Sequence, residues 1–297
     1  MPQESSPIVV GVDGSDDALR AGRWAAAVAQ KTDSPLHIVH TRPYSGHNPS
    51  DAVAAIRAAD LAALQASGPE AILGAAEDAL RADYRDLTVT TTNVPAPADE
   101  ALVELSRTAK LIVLGSDRVS VGAAILVGST TVAVAARSTC PVVAFRGDVT
   151  ALTGQPIVLG VDGDEGSRTA IATAFGLADR FGVDIVAVHA WSTRRSPGDV
   201  TLPFMVDWVA VEEQQREYLS AAIAPMAKLY PRVGVTSVVE SGKPSHAILR
   251  QLSDAQLVVV GSRGRGVLAG ALLGSTGLNL LHHSPIPTMI CHARERG

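Results

Sequence analysis

Residues 7–15 read PIVVGVDGS, and residues 156–164 repeat this stretch as PIVLGVDGD. Each copy is a short run of apolar, mostly β-branched residues that ends at an Asp-Gly pair, which predicts a buried strand followed by a tight loop. After the first copy, Ser15 or Asp16 can cap a helix, because apolar residues recur at helical spacing over about residues 17–32. The stretch therefore indicates a strand–loop–helix unit that occurs twice.

Three further pairs of segments recur in the same order and at nearly the same spacing. They are KLIVLGSDR (110–118) with QLVVVGSRG (256–264), ILVGST (125–130) with ALLGST (271–276), and PVVAF (141–145) with PTMIC (287–291). Composition alone does not produce matched segments in one order, so the chain is a duplicated domain. We expect a first domain at 1–147, a linker at 148–155, where the apolar periodicity lapses, and a second domain at 156–297.

Five strand signals alternate with helical patterns in each half. The strands are predicted near 8–12, 36–40, 87–94, 111–115 and 142–145, and again near 157–161, 184–189, 234–240, 257–261 and 288–291. The helices predicted in the first half include 51–82, with an interruption at 67–69, then 98–109 and 128–138. Alternation of this kind implies parallel pairing through right-handed crossovers. The expected fold is α/β, with two tandem doubly wound, Rossmann-like domains of five parallel strands packed as a pseudo-two-fold pair.

Composition narrows the class of protein. The chain has 297 residues, of which 46% are hydrophobic and 19% charged, so two packed domains are expected. The formal net charge is −5 and no Lys/Arg-rich run is present, which disfavours nucleic acid as a partner. Apolar runs are of strand length, so no membrane association is expected. Without a signal-peptide pattern or a CxxC pair, the sequence predicts a cytoplasmic protein.

The segment after the fourth strand of the second half carries the strongest functional motif. The pattern is Gly261-x2-Gly264-x9-Gly274-Ser275. Gly261 would let the backbone approach a ligand, and Gly264 permits a positive φ that helps amides form an anion nest. The free N–H groups at the start of the next helix favour phosphate, and Ser275 adds a hydroxyl donor. Arg263 and Arg265 can add charge-assisted contacts, so the pattern predicts a phosphate cradle.

Structural interpretations compete with this one. The motif is neither a P-loop, since no GKS or GKT follows, nor a GxGxxG fingerprint, and its glycines could serve only as turn residues. Asp13 and Asp162, in the Asp-Gly loops, could accept hydrogen bonds from a ribose or base, bind magnesium, or cap their own loop. A strand before the glycine pattern, a helix after it and an Asp loop at the first strand's end together favour ligand binding.

With these motifs on both halves, the chain resembles the universal stress protein family in its tandem two-domain form. The resemblance covers nearly the whole chain and rests on GVDGS, GVDGD, the strand-end residues His40 and His189, and the glycine pattern of the second half. It implies an adenine-nucleotide α-hydrolase-like fold and ATP as the bound cofactor, with Mg²⁺ as a candidate companion ion. In the ATP-binding branch of the family, the glycine pattern holds ribose and phosphates, the first-strand Asp belongs to the pocket, and backbone after the second strand meets adenine.

Carried over to this chain, the resemblance implies nucleotide-binding positions in both halves. In the first half they are Gly11, Asp13, Thr41, Gly115, Gly128, Ser129 and Thr130. In the second half they are Gly160, Asp162, Ala190, Gly261, Ser262, Arg263, Gly264, Arg265, Gly266, Gly274, Ser275 and Thr276. The first half departs from the family at Arg118, which stands where the second glycine should be. A non-glycine residue at positive φ costs about 1 kcal/mol. The Arg118 guanidinium could fill the phosphate space, or it could bind a phosphate itself. We expect weaker nucleotide binding in the first half.

No catalytic or metal site is predicted. His40 and His189 have no carboxylate or Cys partner at ligand spacing, and neither Cys140 nor Cys291 has a nearby base. Trp208 and its apolar neighbours fit either an interface or helix packing. The leading hypothesis is a nucleotide-dependent regulator or sensor in stress response, which binds an adenine nucleotide and an unknown protein partner and could form a homodimer. A slow ATPase or nucleotide hydrolase, and a scaffold that binds no nucleotide, stay open as alternatives.

Overall fold

A computed structural model describes residues 6–41, 68–116, 119–121, 124–126, 128–162, 165–191, 207–262 and 273–293. The chain forms two compact units, Met1–Leu152 and Thr153–Gly297. In each unit, helices accompany a parallel sheet of five strands, and the two units share one topology. None of the described helices combines the length and the apolar character needed to cross a bilayer.

The first unit alternates strands and helices along the chain. Its strands are β1 (Ile8–Gly11), β2 (Leu36–Thr41), β3 (Val89–Val94), β4 (Leu111–Gly115), β5 (Val119–Val121), β6 (Ala124–Leu126) and β7 (Val142–Phe145). Its helices are α1 (Asp16–Lys31), α2 (Pro69–Asp83), α3 (Ala98–Leu105) and α4 (Ser129–Arg137). Five strands pair in parallel in the order β3-β2-β1-β4-β7, so the strand order reverses between β1 and β4. Ligands of doubly wound sheets bind at the carboxyl ends of the strands at such a switch point.

The second unit repeats this arrangement. Its strands are β8 (Ile157–Gly160), β9 (Ile185–Trp191), β10 (Val235–Ser241), β11 (Leu257–Gly261) and β12 (Thr288–Cys291). Its helices are α5 (Glu165–Phe181), α6 (Trp208–Leu229), α7 (Pro244–Leu249) and α8 (Ser275–His283). The parallel order is β10-β9-β8-β11-β12, with the switch point between β8 and β11. The prediction of two tandem α/β domains, each with five parallel strands, is confirmed.

The central strands of each sheet are buried along nearly their whole length. Val10 of β1 and Val113 of β4 have no exposed surface, nor does Val259 of β11. A parallel sheet covered by helices on both faces needs continuous apolar strands, which explains the runs seen in the sequence. On α1, residues such as Ala21 and Ala25 are fully buried, because small side chains let the helix lie close to the sheet. This packing accounts for a core built with few aromatic residues.

One predicted boundary is wrong, two short strands were not predicted, and one predicted helix is described only in part. Helix α3 ends at Leu105 and not at Ala109, because the Ser106 hydroxyl donates to the Val103 carbonyl oxygen and accepts from the Thr139 amide, which closes the helix. The antiparallel strands β5 and β6 were not predicted, since three residues each are too few to show a period. Of the helix predicted over 51–82, α2 accounts for the part from residue 69, where a proline occupies the first helical position. Residues 51–67 lie outside the described residues.

Candidate functional site

In the second unit, Asp162 lies directly beyond β8, and its backbone is held by two helices. Its N–H donates to the Ser167 hydroxyl of α5 at 3.1 Å, and its carbonyl oxygen accepts from the Tyr218 hydroxyl of α6 at 3.2 Å. The residue is half-buried at the carboxyl edge of the sheet. The Asp162 backbone is therefore held by the scaffold on both sides of its Cα.

The end of β11 lies against the first turn of α5. A Cβ built on Gly261 would sit 2.8 Å from the carbonyl carbon of Gly166 and 3.0 Å from the amide nitrogen of Ser167. In the first unit, a Cβ on Gly115 would sit 2.9 Å from the carbonyl carbon of Asp17. The glycine pattern predicts that Gly261 leaves room for a ligand, whereas the close approach in the structure is to the chain's own helix α5. That contact explains both glycines without a ligand.

The start of α8 is tied to the end of β11. The Ser262 N–H donates to the Cys291 carbonyl oxygen at 2.7 Å, and the Gly274 N–H donates to the Ser262 carbonyl oxygen at 2.7 Å. Gly274 is the N-cap of α8, and within the described residues no side chain caps this helix. The first-turn N–H groups, at Ser275 and Thr276, carry the partial positive charge of the helix N-terminus, which favours an anion.

These contacts connect three separate parts of the sequence at one edge of the sheet. The series of contacting residues runs Asp162, Ser167, Gly261, Ser262, Gly274. Ala190, the penultimate residue of β9, lies at the same edge, beyond the paired residues Val188 and Gly160. The Asp loop, the glycine at the end of β11 and the start of α8 are thus brought together. Arg263, Gly264, Arg265 and Gly266 lie outside the described residues.

His189 connects β9 to the end of β8. The side chain is 3% exposed, and its Nδ1 lies 2.8 Å from the Val161 carbonyl oxygen, which can only accept, so Nδ1 carries the proton. Its Nε2 lies 3.0 Å from the Gln215 side-chain oxygen, and its ring packs on Tyr218 with centroids 5.0 Å apart. In the first unit, His40 makes the matching 2.8 Å bond to the Val12 carbonyl oxygen. Both histidines therefore join the second strand of their unit to the first.

The Asp loop of the first unit is organised differently. Asp13 is exposed, and its Oδ1 accepts from the Ser15 amide at 2.9 Å and from the Ser15 hydroxyl at 2.6 Å. Ser15 Oγ in turn accepts from the Ala18 amide at 3.2 Å and caps α1. Gly14 between them has a φ of 90°, a conformation that glycine adopts without strain. Asp13 thus makes the loop-capping contact that competed with a ligand role in the sequence analysis.

A buried arginine lies at the carboxyl edge of the first-unit sheet. Ser116, the residue after β4, donates its N–H to the Phe145 carbonyl oxygen at 3.0 Å and accepts from Arg146 Nη2 at 3.0 Å. Arg146 is 5% exposed, and the second unit has His292 at the corresponding position after its last strand. Sequence reasoning missed Arg146, although a charged residue directly after an apolar strand was a readable signal. Arg118 lies outside the described residues.

The remaining predicted positions of the first unit lie at the edge of the sheet or in the core. Thr41 ends β2, and Gly128 caps α4 ahead of Ser129 and Thr130, again without a capping side chain among the described residues. A Cβ on Gly128 would meet nothing within 4 Å. Gly11 ends β1, where a Cβ would lie 2.7 Å from Leu114 Cδ2. In the second unit, a Cβ on Gly160 would likewise lie 2.8 Å from Ile248 Cδ1, so core side chains occupy both of these positions.

Three further residues of the second-unit site were missed by sequence reasoning. Ser167, Gln215 and Tyr218 contact the Asp loop or its supporting histidine. The spacing of Gln215 and Tyr218 puts them on one face of a helix, but nothing in the sequence says which strand that face meets. Across the described ranges, no three side chains of His, Cys, Asp or Glu gather as they would around a metal ion.

Comparison with known proteins gives a consistent result. Residues 5–146 and 154–292 each match the Universal stress protein family. Universal stress protein Rv2005c of Mycobacterium tuberculosis is 33% identical over 302 residues, covering 97% of this chain and 98% of the relative. Universal stress protein Rv2623 of the same organism is 34% identical over 312 residues, covering 97% and 96%. A universal stress protein crystal structure from Archaeoglobus fulgidus superposes with a TM-score of 0.66 at 20% identity, covering 98% of this chain and all of the other, which supports the fold.

Proposed function

The chain belongs to the universal stress protein family, and from that premise we propose that it binds an adenine nucleotide, ATP foremost, at the carboxyl edge of its sheets. The second unit is the stronger site in this proposal, and nucleotide occupancy is the signal through which the protein acts as a regulator in stress response. The observation that carries the proposal is the bond from Gly274 N–H to the Ser262 carbonyl oxygen, which holds the start of α8 beside the Asp162 loop.

The start of α8 suits a phosphate chain. Its first-turn amides point along the helix axis away from the helix, and the described residues offer no side chain to cap them. The partial positive charge there attracts an anion even though the chain as a whole carries a formal charge of −5. In the proposal, the amides of Ser275 and Thr276 bind phosphate oxygens and the exposed Ser275 hydroxyl adds a donor. Arg263 and Arg265 supply charge, and Mg²⁺ enters with the phosphates.

In the proposal, the ribose and the adenine bind at the ends of β8 and β9. The Asp162 carboxylate accepts hydrogen bonds from ribose hydroxyls, and the backbone at Ala190 meets the adenine. Both residues are half-buried at the edge where α8 begins, which supports one continuous site. In the first unit, Asp13 and Thr41 take the same roles with lower affinity, because Asp13 Oδ1 already accepts two bonds from Ser15.

The ligand can be identified by releasing it. Freshly purified full-length protein is denatured and the supernatant analysed by mass spectrometry, with ATP or ADP as the expected product. Binding at a ligand level of 100 Kd would stabilise the fold by about 2.7 kcal/mol, which a thermal shift readily detects. Asp162→Asn should reduce the shift, whereas Asp148→Asn, at an exposed position outside the strands and helices, serves as the matched control. Absence of both a released nucleotide and a shift with millimolar ATP would contradict the proposal.

A scaffold that binds no nucleotide is the second candidate, and one observation favours it. Gly115 and Gly261 are required by contact with α1 and α5, so their presence does not depend on a ligand. The scaffold hypothesis predicts that the thermal shift is absent in both units, while a partner protein still binds. Titration with ATP followed by a pull-down in the presence and absence of nucleotide separates the two functions.

The proposal also covers the cellular location and the oligomeric state of the protein. We place it in the cytoplasm, where it acts on a protein partner and can pair as a homodimer. Fractionation of cells, followed by analytical ultracentrifugation of the purified chain with and without ATP, tests the location and the oligomeric state together.

A further inference from the structure

Helix α6 reaches the candidate nucleotide edge of the second unit through two side chains, Tyr218 and Gln215. The Tyr218 hydroxyl donates to the Asp162 carbonyl oxygen at 3.2 Å. The Gln215 side chain lies 3.0 Å from His189 Nε2, and His189 Nδ1 donates to the Val161 carbonyl oxygen at 2.8 Å. Gln215 and Tyr218 are three positions apart, so they project from the same face of the helix.

We propose that Tyr218 and Gln215 are positioning residues of the second-unit nucleotide site, through which α6 holds the Asp162 loop in its binding conformation. The inference rests on the proposed function and deepens it. Two successive carbonyl oxygens, those of Val161 and Asp162, are held by α6, one directly and one through His189. With both peptide planes fixed, the Asp162 side chain starts from a defined backbone, which lowers the ordering cost of binding.

The contact between His189 and Gln215 is partly buried. With Nδ1 donating to the Val161 carbonyl oxygen, the neutral ring offers a lone pair at Nε2. The Gln215 oxygen faces this nitrogen, and a rotation of the amide presents its NH2 group as the donor instead. The Tyr218 ring, packed on the imidazole at 5.0 Å, holds the histidine in place.

Among the described residues of the first unit, no hydrogen-bonding helix side chain takes the places of Gln215 and Tyr218. Helices α2 and α6 end at the C-caps Tyr84 and Tyr230, and counting back from them places Pro69 and Ile72 where Gln215 and Tyr218 stand. Neither side chain can form a hydrogen bond, and Ile72 is buried among core residues. The first-unit loop is held locally by Asp13 and Ser15 instead. Within the part of the chain that the structure describes, contacts of this kind with the Asp loop are seen in the second unit.

The chain contains a built-in reporter for α6. Trp208, the first residue of the helix, stacks on Trp191 at the end of β9, with ring centroids 6.2 Å apart and planes at 26°. The chain has three tryptophans, and the third, Trp24, is buried in the first unit. In a Trp24→Phe background, selective excitation of tryptophan therefore restricts the fluorescence to the Trp191–Trp208 pair, so that a titration reads the second unit.

The test compares Tyr218→Phe and Gln215→Leu with Tyr230→Phe in the full-length Trp24→Phe chain. Tyr230→Phe removes a hydroxyl from the far end of the same helix, where the ring packs on Phe175. Hydrogen exchange of the Asp162 amide is measured without ligand, and ATP affinity by fluorescence. We expect faster exchange and about three- to tenfold weaker ATP binding in the first two variants, as for loss of one hydrogen bond, and no change in the control.

The outcomes separate the inference from the proposed function. If the parent binds ATP and Tyr218→Phe changes neither exchange nor affinity, the positioning role is overturned while nucleotide binding stands. Faster exchange with unchanged affinity also overturns it, because the contact is then purely structural. If the parent binds no ATP, the proposed function fails and the positioning role fails with it. A retained Trp191–Trp208 fluorescence spectrum shows that each variant is folded.

Discussion

Gly261 and Gly166 meet backbone to backbone, since a Cβ on Gly261 would lie 2.8 Å from the Gly166 carbonyl carbon. The first unit repeats the relationship between Gly115 and Asp17 at 2.9 Å. In neither unit is the neighbouring atom the end of a flexible side chain that could turn aside. The close approach of strand and helix fixes where the Asp loop leaves the sheet, and so contributes to the site even without touching a ligand.

Gly261→Ala should lower the free energy of unfolding by about 1–3 kcal/mol, because the methyl group forces the backbone of α5 away from β11. Urea denaturation of the full-length protein measures the change. Gly154→Ala is the matched control, since a Cβ there meets nothing within 4 Å. Equal stability of the two variants would show that the first turn of α5 yields easily, which would contradict the rigid contact described above.

Ser15→Ala should destabilise the first unit by about 1 kcal/mol, since Ser15 Oγ caps α1 by accepting from the Ala18 amide. The change also removes the hydroxyl partner of Asp13 Oδ1. Thermal unfolding is the measurement. Ser129→Ala, at an exposed first-turn position of α4 that provides no cap, should leave the midpoint almost unchanged. A larger loss from Ser129→Ala than from Ser15→Ala would reverse this assignment.

The strands were predictable because a strand buried on both faces of a parallel sheet is a continuous run of apolar residues. Runs such as that of β11, from Leu257 to Gly261, are apolar throughout, and all ten strands of the two parallel sheets lie close to their predicted positions. The short strands β5 and β6 could not be found, since their pairing depends on a local turn and not on a period. The end of α3 at Leu105 depends on a bond from the Thr139 amide, far along the chain, to the Ser106 hydroxyl.

The buried thiol of Cys140 makes the free energy of unfolding fall as the pH rises into the alkaline range. Burial raises the pKa of its thiol from 9.0 to about 12. Folded protein keeps the proton up to about pH 12, whereas the unfolded chain releases it above pH 9, so this contribution is complete below pH 9 and is lost as the pH rises toward 12. The loss approaches about 1.4 kcal/mol per pH unit.

Urea denaturation at pH 8 and pH 10 tests this dependence. The stability advantage of the parent over Cys140→Ala should shrink by about 1.4 kcal/mol between the two values, because the variant has no thiol to ionise. Other groups that titrate in this range, such as Tyr84, affect parent and variant alike and cancel in the difference. An advantage that stays constant would mean that the Cys140 thiol ionises as easily in the folded protein as in the unfolded chain.

The candidate site was only partly readable from the sequence. The Asp loop and the start of α8 could be located because Asp-Gly and Gly-Ser pairs follow strands or precede helices. The bond from Tyr218 to Asp162 could not, because it depends on the rotation of α6 about its axis. The sequence predicts space for a ligand at Gly261, although the atoms nearest to its Cβ position belong to α5. Contacts between distant segments decide such details, and a single sequence does not record them.

The contrast between Arg118 and Gly264, which lie outside the described residues, predicts the relative strength of the two sites. On the expectation that the phosphate loop needs a positive φ at this position, Gly264→Arg should weaken ATP binding in the second unit about fivefold, since a non-glycine residue in that conformation costs about 1 kcal/mol. Arg118→Gly should strengthen binding in the first unit by a similar factor. Calorimetric titration of the full-length protein resolves the two affinities, and the parent should show the tighter site in the second unit.

Arg118→Gln separates backbone strain from charge in this comparison. The glutamine keeps a long side chain at the position but removes the guanidinium, so it should leave the weak site weak if strain or bulk is the cause. A guanidinium that binds phosphate would give the opposite pattern, with both Arg118→Gln and Arg118→Gly losing affinity. Buried Arg146, which donates to Ser116 at the same edge, is unchanged in all these variants and so provides a constant background of positive charge. Equal affinities of the two units in the parent would show that the glycine pattern does not set nucleotide affinity in this chain.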